Sequence, residues 1–177
     1  MLNIRKRKLQ YITVLSLYGL LIGGLPHALA NVRHEGSTAV VQIITDPLDK
    51  FRGALKLSDM DLVELLSAVG FEGKALKVAY AVAKKESNGR PLAHNGDTTT
   101  GDNSYGLFQI NMIGDLGPER LEKFNLKSNK ELFDPVKNAQ IAFHMTNGGK
   151  DWSAWKISPG QDNGKRYQQY FNEFAGL

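Results

Sequence analysis

The sequence predicts a mainly α-helical fold, on three observations. Apolar residues recur at i, i+3, i+4 and i+7 in successive stretches, the period of one helix face. Start and stop residues bracket those stretches, with Ser58, Pro118 and Asp134-Pro135 at the starts and Gly70, Gly89 and Gly148-Gly149 at the ends. No internal repeat or low-complexity tract interrupts the pattern.

In chain order, Ser58 reads as an N-cap, with Asp59 and Asp61 in the first turn, where carboxylates complement the helix dipole. Leu62, Val63, Leu65, Leu66 and Val69 make the apolar stripe, and Gly70 stops it. A second helix spans about Lys74 to Ser87, with Leu76, Val78, Ala79, Ala81 and Val82 inside and Gly89 and Pro91 ending it. Residues 88–103 are rich in Asn, Gly, Asp and Thr without periodicity. A loop of that length inside a compact domain is uncommon and usually functional. After the short, half-apolar Ser104–Asn111, Pro118 at N1 opens a helix to about Phe124. Ser128 caps a single turn through Leu132. Asp134 (N-cap) and Pro135 (N1) open a longer helix with Val136, Ala139, Ile141, Ala142 and Met145 inside, and Gly148-Gly149 stops it. Trp152 and Trp155 sit on a short turn. The last helix, from about Asn163 to Phe174, carries Tyr167, Tyr170, Phe171 and Phe174 on one face.

The chain's start has the pattern of an export signal. Arg5-Lys6-Arg7-Lys8 is followed by an uncharged, largely apolar run from Tyr11 to Leu25, then Pro26 and Ala28-Leu29-Ala30, a small-x-small cleavage site. Fifteen residues are short for a membrane span, which needs about 20. Residues 1–30 are therefore expected as a signal peptide; uncleaved, they would serve as an anchor and the sole membrane contact. Residues 31–56 read as a linker or extended N-terminal segment, with Val40–Thr45 a short strand or arm, and residues 57–177 as one small, mostly α-helical domain. The expected location is periplasmic or extracellular.

The chain holds 22 Lys+Arg against 18 Asp+Glu, and the four basic residues of the signal have no acidic counterpart there. Subtracting those four leaves 18 against 18. The basic pI of about 9.2 thus reports the signal and gives no basic stripe for nucleic acid. With no cysteine, disulfides, cysteine nucleophiles and Cys-based metal sites are excluded. The four His (27, 34, 94 and 144) show no paired ligand spacing, so no metal and no cofactor is expected. A monomer is expected.

Glu86 is the most informative side chain. It closes the second helix, four residues after Val82 and seven after Ala79, in line with the buried stripe. Partial withdrawal from water disfavours the charged carboxylate, and a protonated carboxyl is what a general acid needs. The plainer reading is a solvated helix-end residue.

The residues after Glu86 carry a resemblance. Glu86-Ser87, Asn95 and Ser104-Tyr-Gly-Leu-Phe-Gln-Ile-Asn111 resemble the pattern of soluble lytic transglycosylases and goose-type lysozymes. Gly101–Met112 with Leu132-Phe-Asp-Pro135, Asn138-Ala139 and Trp152/Trp155 is similar to phage tail-associated lysozyme domains. The resemblance covers about residues 57–157. It implies a small lysozyme-like helical domain whose groove crosses the end of the Glu86 helix under the long loop. It also implies a peptidoglycan substrate, cut at the MurNAc–GlcNAc β-1,4 bond with Glu86 as catalytic acid/base. Asn95, Ser104, Tyr105 and Gln109 match groove-lining positions, and amides and hydroxyls suit sugar hydroxyls and N-acetyl groups. Gly106 permits close backbone approach.

Hydrolytic glycosidases use two carboxylates, whereas the transglycosylases it resembles manage with one, the muramic 6-hydroxyl attacking internally. Asp97 and Asp102 are the candidate second carboxylates; against that, loop Asp residues commonly make turns. Trp152, Trp155, Tyr167 and Tyr170 are candidates for sugar stacking but read first as core. Lys84-Lys85 reads as a solvated face, His94 as a loop residue, and Ser104 lacks the surroundings of a nucleophile. The competing functions are a non-catalytic peptidoglycan-binding or virion structural domain and a plain helical interaction domain.

Overall fold

The computed structural model describes residues 29–33, 40–44, 46–157, 167–175 and 177. Residues 1–28 of the expected signal, and the expected start of the last helix before Tyr167, lie outside the described residues. The chain divides into two compact units, Met1–Ile44 and Thr45–Leu177. In the first unit β1 (Leu29–Arg33) pairs antiparallel with β2 (Val40–Ile44), from Leu29 opposite Ile44 to Arg33 opposite Val40. Of the two forms expected for the segment from Val40, strand or extended arm, it takes the strand, with β1 as its partner. No helix among the described residues is long and apolar enough to cross a membrane.

The second unit is mainly α-helical. Its described helices are α1 (Asp59–Val69), α2 (Gly73–Ser87), α3 (Leu116–Lys123), α4 (Pro135–Met145) and α5 (Gln168–Ala175). A small antiparallel sheet, β3 (His94–Asn95), β4 (Ser104–Tyr105) and β5 (Ile110–Asn111), lies between α2 and α3 in sequence. α1 packs on α2 and α4, and α2 packs on α5.

Local chemistry sets the helix ends. Ser58 Oγ accepts the Asp61 N–H while Asp61 accepts the Ser58 N–H, a reciprocal cap that opens α1, and Gly70 closes it at φ +118°. Asp134 accepts from the amides of Val136 and Lys137 and opens α4, with Pro135 where no N–H is needed. α3 starts two residues before the expected Pro118, which lies in the first turn, where its missing N–H still costs nothing. Asn88 caps the C-terminal end of α2 in the left-handed conformation at φ 54°.

The core gathers Leu62, Leu65 and Leu66 of α1, Ala79, Tyr80, Val82 and Ala83 of α2, and Val136, Ala139 and Ala142 of α4 around Phe71, Leu107, Phe108 and Leu132. Leu48, Phe51 and Leu57 are buried in the same core, and Leu57 N donates to Gly89 O just past α2. Arg52 fixes this segment through Asp49 and the α4 cap Asp134, at 3.1 and 2.7 Å. Residues 46–56, expected as linker, therefore belong to the helical unit; short apolar anchors without periodicity concealed this. The loop expected over 88–103 is partly folded into β3, because strands of two residues are too short to show alternation.

Candidate active site

The last turn of α2 carries Glu86 from the core to the surface. Ala79, Val82 and Ala83 on the same side are buried, and the Glu86 side chain is 23% exposed. Ser87 turns inward and donates to Ala83 O at 2.9 Å, while Arg90 Nε donates to Ser87 O, so the helix end is held by its own side chains. Lys85 Nζ lies 3.3 Å from Glu86 Oε1 and 5.9 Å from the Tyr167 ring centre. Lys84 is 13% exposed and pairs with Asp59 of α1 at 2.7 Å. The expected solvated Lys84-Lys85 face is thus absent: one lysine ties helices together and the other stands beside the carboxylate.

Two adjoining depressions of about 420 and 600 Å³ meet at Glu86. Lys85, Glu86, Asn95 and Gln109 line both, so they form the junction of one cleft. The first lobe continues along Asp102, Ser104, Asn111, Arg120, Trp155 and Tyr167. The second is bordered by Leu55, Arg90, Leu92 and His94. Cavities of this size suit small-molecule or oligosaccharide ligands.

Gln109 shows how the cleft is built. Its backbone is left-handed at φ 46°, uncommon for a residue with a Cβ. Its Nε2 donates to Ala93 O at 3.1 Å and to Gly106 O at 2.9 Å. Both amide hydrogens are committed, so Gln109 offers the cleft an acceptor, Oε1. Asn95 Oδ1 instead accepts the Asp97 N–H, leaving its Nδ2 group to donate. The junction therefore presents a carboxyl, an ammonium, an amide donor and an amide acceptor.

Strand alternation separates Ser104 from Tyr105. Ser104 is buried at the cleft wall. Tyr105 packs its ring on His94 and Phe133, with centres 4.4 and 5.4 Å away, and does not line the cleft. Of the two loop carboxylates, Asp102 lines the first lobe and accepts from Ser104 Oγ at 2.8 Å. Asp97 is exposed, outside the cleft lining, and makes a turn with the Thr99 hydroxyl and amide, hydrogen bonds that hold its carboxyl below the usual range. The turn reading suits Asp97.

The tryptophans divide as well. Trp152 is core, stacked 5.8 Å from Phe71. Trp155 is half-buried at the cleft, its Nε1 donating to Phe108 O at 2.8 Å. Tyr167 is buried at the same wall and donates to Trp155 O at 3.3 Å, whereas Tyr170 packs against the core. The close approach that needs Gly106 comes from inside the protein: a Cβ there would lie 2.2 Å from Asn138 Nδ2. Buried Asn138 bonds Phe108 N, Tyr105 O and Leu132 O, fixing the backbone that carries Ser104 and Gln109.

Arg120 and Asn111 are cleft residues that sequence reasoning missed. Arg120 reads in sequence as a last-turn cation complementing a helix dipole, and nothing local marks it otherwise. No group of potential metal ligands occurs among the described residues.

A family model described as a lysozyme like domain matches residues 63–157, more than half of the chain. The chain belongs to this lysozyme-like domain family. No curated protein and no solved structure matches it. The match runs from α1 to the turn after Trp155, so the lysozyme-like region contains Glu86 and nearly the whole cleft lining. The fold and superfamily that the motifs imply are thereby established, and a peptidoglycan-related activity follows at the level of the family.

Proposed function

We propose that this lysozyme-like protein is an exported peptidoglycan-cleaving muramidase, acting on the MurNAc–GlcNAc β-1,4 bond with Glu86 as general acid/base. The observation that carries the reading is the position of Glu86 where the two lobes meet, with room for a glycan strand on either side of one carboxyl.

A sugar laid across the junction brings its glycosidic oxygen within reach of the Glu86 carboxyl, which acts as the acid. The proton passes to the leaving glycosidic oxygen as the bond to the muramic C1 breaks. Asn95 donates to and Gln109 accepts from sugar hydroxyls or N-acetyl groups, which aligns that oxygen with Glu86. Two acceptors complete the reaction. The muramic 6-hydroxyl attacks C1 and returns its proton to Glu86, leaving a 1,6-anhydro end and a lytic transglycosylase. Alternatively water attacks, with Asp102 as its base, leaving a reducing end and a lysozyme. Asp102 is the better placed of the two candidate carboxylates because it lines the cleft.

Glu86→Gln keeps the shape of the side chain and removes the acid. Digestion of purified cell walls is expected to fall by about a hundredfold or more with the circular dichroism spectrum unchanged, since such a proton transfer contributes about 10²–10⁴-fold. Full activity of the Gln variant would end the proposal. Saturable wall binding by the wild type with no released fragment would point instead to the non-catalytic binding domain.

A further inference from the structure

Arg120 stands in the last turn of α3, half-buried, on the wall of the first lobe. Its Nη1 donates to the backbone carbonyl of Asn111, and no carboxylate forms an ion pair with it among the described residues. Arg52, more exposed, has three carboxylates around it. Burial pushes the Arg120 guanidinium down from its ordinary range, with adjacent Glu119 opposing that only in part. A desolvated cation without a counter-ion is costly within a fold, and in a cleft it marks a place for an anionic ligand.

The charges around it limit what that ligand is. Lys85, Arg120 and Lys156 line the lobe against Glu86 and Asp102. Lys85 pairs with Glu86, and Asp102 is engaged by Ser104. With Lys85 taken by Glu86, Arg120 is left to meet a negative charge, while the two carboxylates of the lobe repel a dianion. A planar guanidinium fork matches a carboxylate.

We propose that Arg120 anchors a carboxylate-binding subsite in this lobe, which reads an acidic group carried by the muramoyl residue. This deepens the muramidase reading and rests on it for the identity of the glycan. The carboxylate has two sources, the free lactyl group of a muramic residue without peptide or an acidic residue of the attached peptide. Neutral chitin-type strands have neither, so Arg120 separates muramoyl glycans from plain N-acetylglucosamine polymers.

Isothermal titration of the whole protein with three disaccharides tests this: chitobiose, GlcNAc–MurNAc with a free lactyl carboxylate, and GlcNAc–MurNAc with its lactyl group capped by a dipeptide containing a free acid. The muramoyl ligands contain no MurNAc–GlcNAc bond, so binding is read apart from turnover. The wild type is expected to bind at least one of them about tenfold or more tighter than chitobiose, the scale of a hydrogen bond to a charged group. Tight binding of the free lactyl form assigns the carboxylate to the sugar; preference for the capped form alone assigns it to the peptide. Arg120→Gln keeps a donor for Asn111 O and should lose the preference, and Arg120→Lys should retain part of it. Equal affinities in the wild type, an undiminished preference in Arg120→Gln, or no binding of any disaccharide would overturn the subsite. A wild type that keeps the preference yet leaves cell walls undigested would overturn the muramidase reading alone.

Discussion

Asp97 and Asp102 lie five positions apart in one loop, yet their surroundings give them different work. Asp97 spends its carboxylate on the Thr99 amide and hydroxyl, whereas Asp102 faces the cleft with a single hydroxyl partner. Asp97→Asn is therefore expected to change cell-wall digestion by less than about threefold, because a surface turn residue contributes little beyond its own loop. Asp102→Asn separates the two chemistries. If water is the acceptor, removing its base should cost about a hundredfold or more. If the muramic hydroxyl attacks, digestion should persist and the products keep anhydro ends. Initial rates and product ends for both variants check this. Position four residues after Val82 suffices to put Glu86 at the end of a buried stripe, and so it is legible in the sequence. Lys85 and Arg120 are not, because their roles depend on which wall of the cleft α2 and α3 present, and charge at an exposed-looking helix position carries no such information.

The segment from β4 to β5 holds its shape through contacts distant in sequence. Asn138 of α4 satisfies Phe108 N, Tyr105 O and Leu132 O, and Gly106 leaves the space it fills. Asn138→Ala would strand these backbone groups in the interior, at a cost of roughly 2–4 kcal/mol. Because the same backbone carries Ser104 and Gln109, cell-wall digestion should fall below what the remaining folded fraction accounts for. Urea unfolding together with activity per folded molecule measures both. The helices α1 and α4 are legible because caps and apolar period agree: Ser58 with Asp61 and Asp134 with Pro135 mark their starts. The small sheet is not, since its two-residue strands are set by tertiary hydrogen bonds such as Gly106 N to Ala93 O. The start of α3 is displaced for a related reason: Pro118 tolerates any position in the first turn, so it marks the turn and not the residue.

The helical unit begins at Thr45, well before its first long helix. Leu48, Phe51 and Leu57 are buried in the common core, and each buried side chain of this kind contributes about 1.5–3 kcal/mol. A chain starting at Thr45 should therefore fold cooperatively. One starting at Ser58 loses roughly 5 kcal/mol or more, most of the stability of a small domain, and should be unfolded or molten by thermal denaturation. The chain has no cysteine, so no disulfide offsets that loss. The same unit brings the Glu86 and Asp102 carboxyls, two complementary amides and the Arg120 guanidinium, which has no ion-pair carboxylate among the described residues, to a single cleft, and the proposed function turns on which bond is cut there. Mass spectrometry of the fragments released from purified peptidoglycan reads this most directly. A muramidase working through Glu86 yields new muramic acid ends, anhydro or reducing, that appear with the wild type and not with Glu86→Gln. New N-acetylglucosamine reducing ends, or cleaved peptides on intact glycan strands, would contradict it.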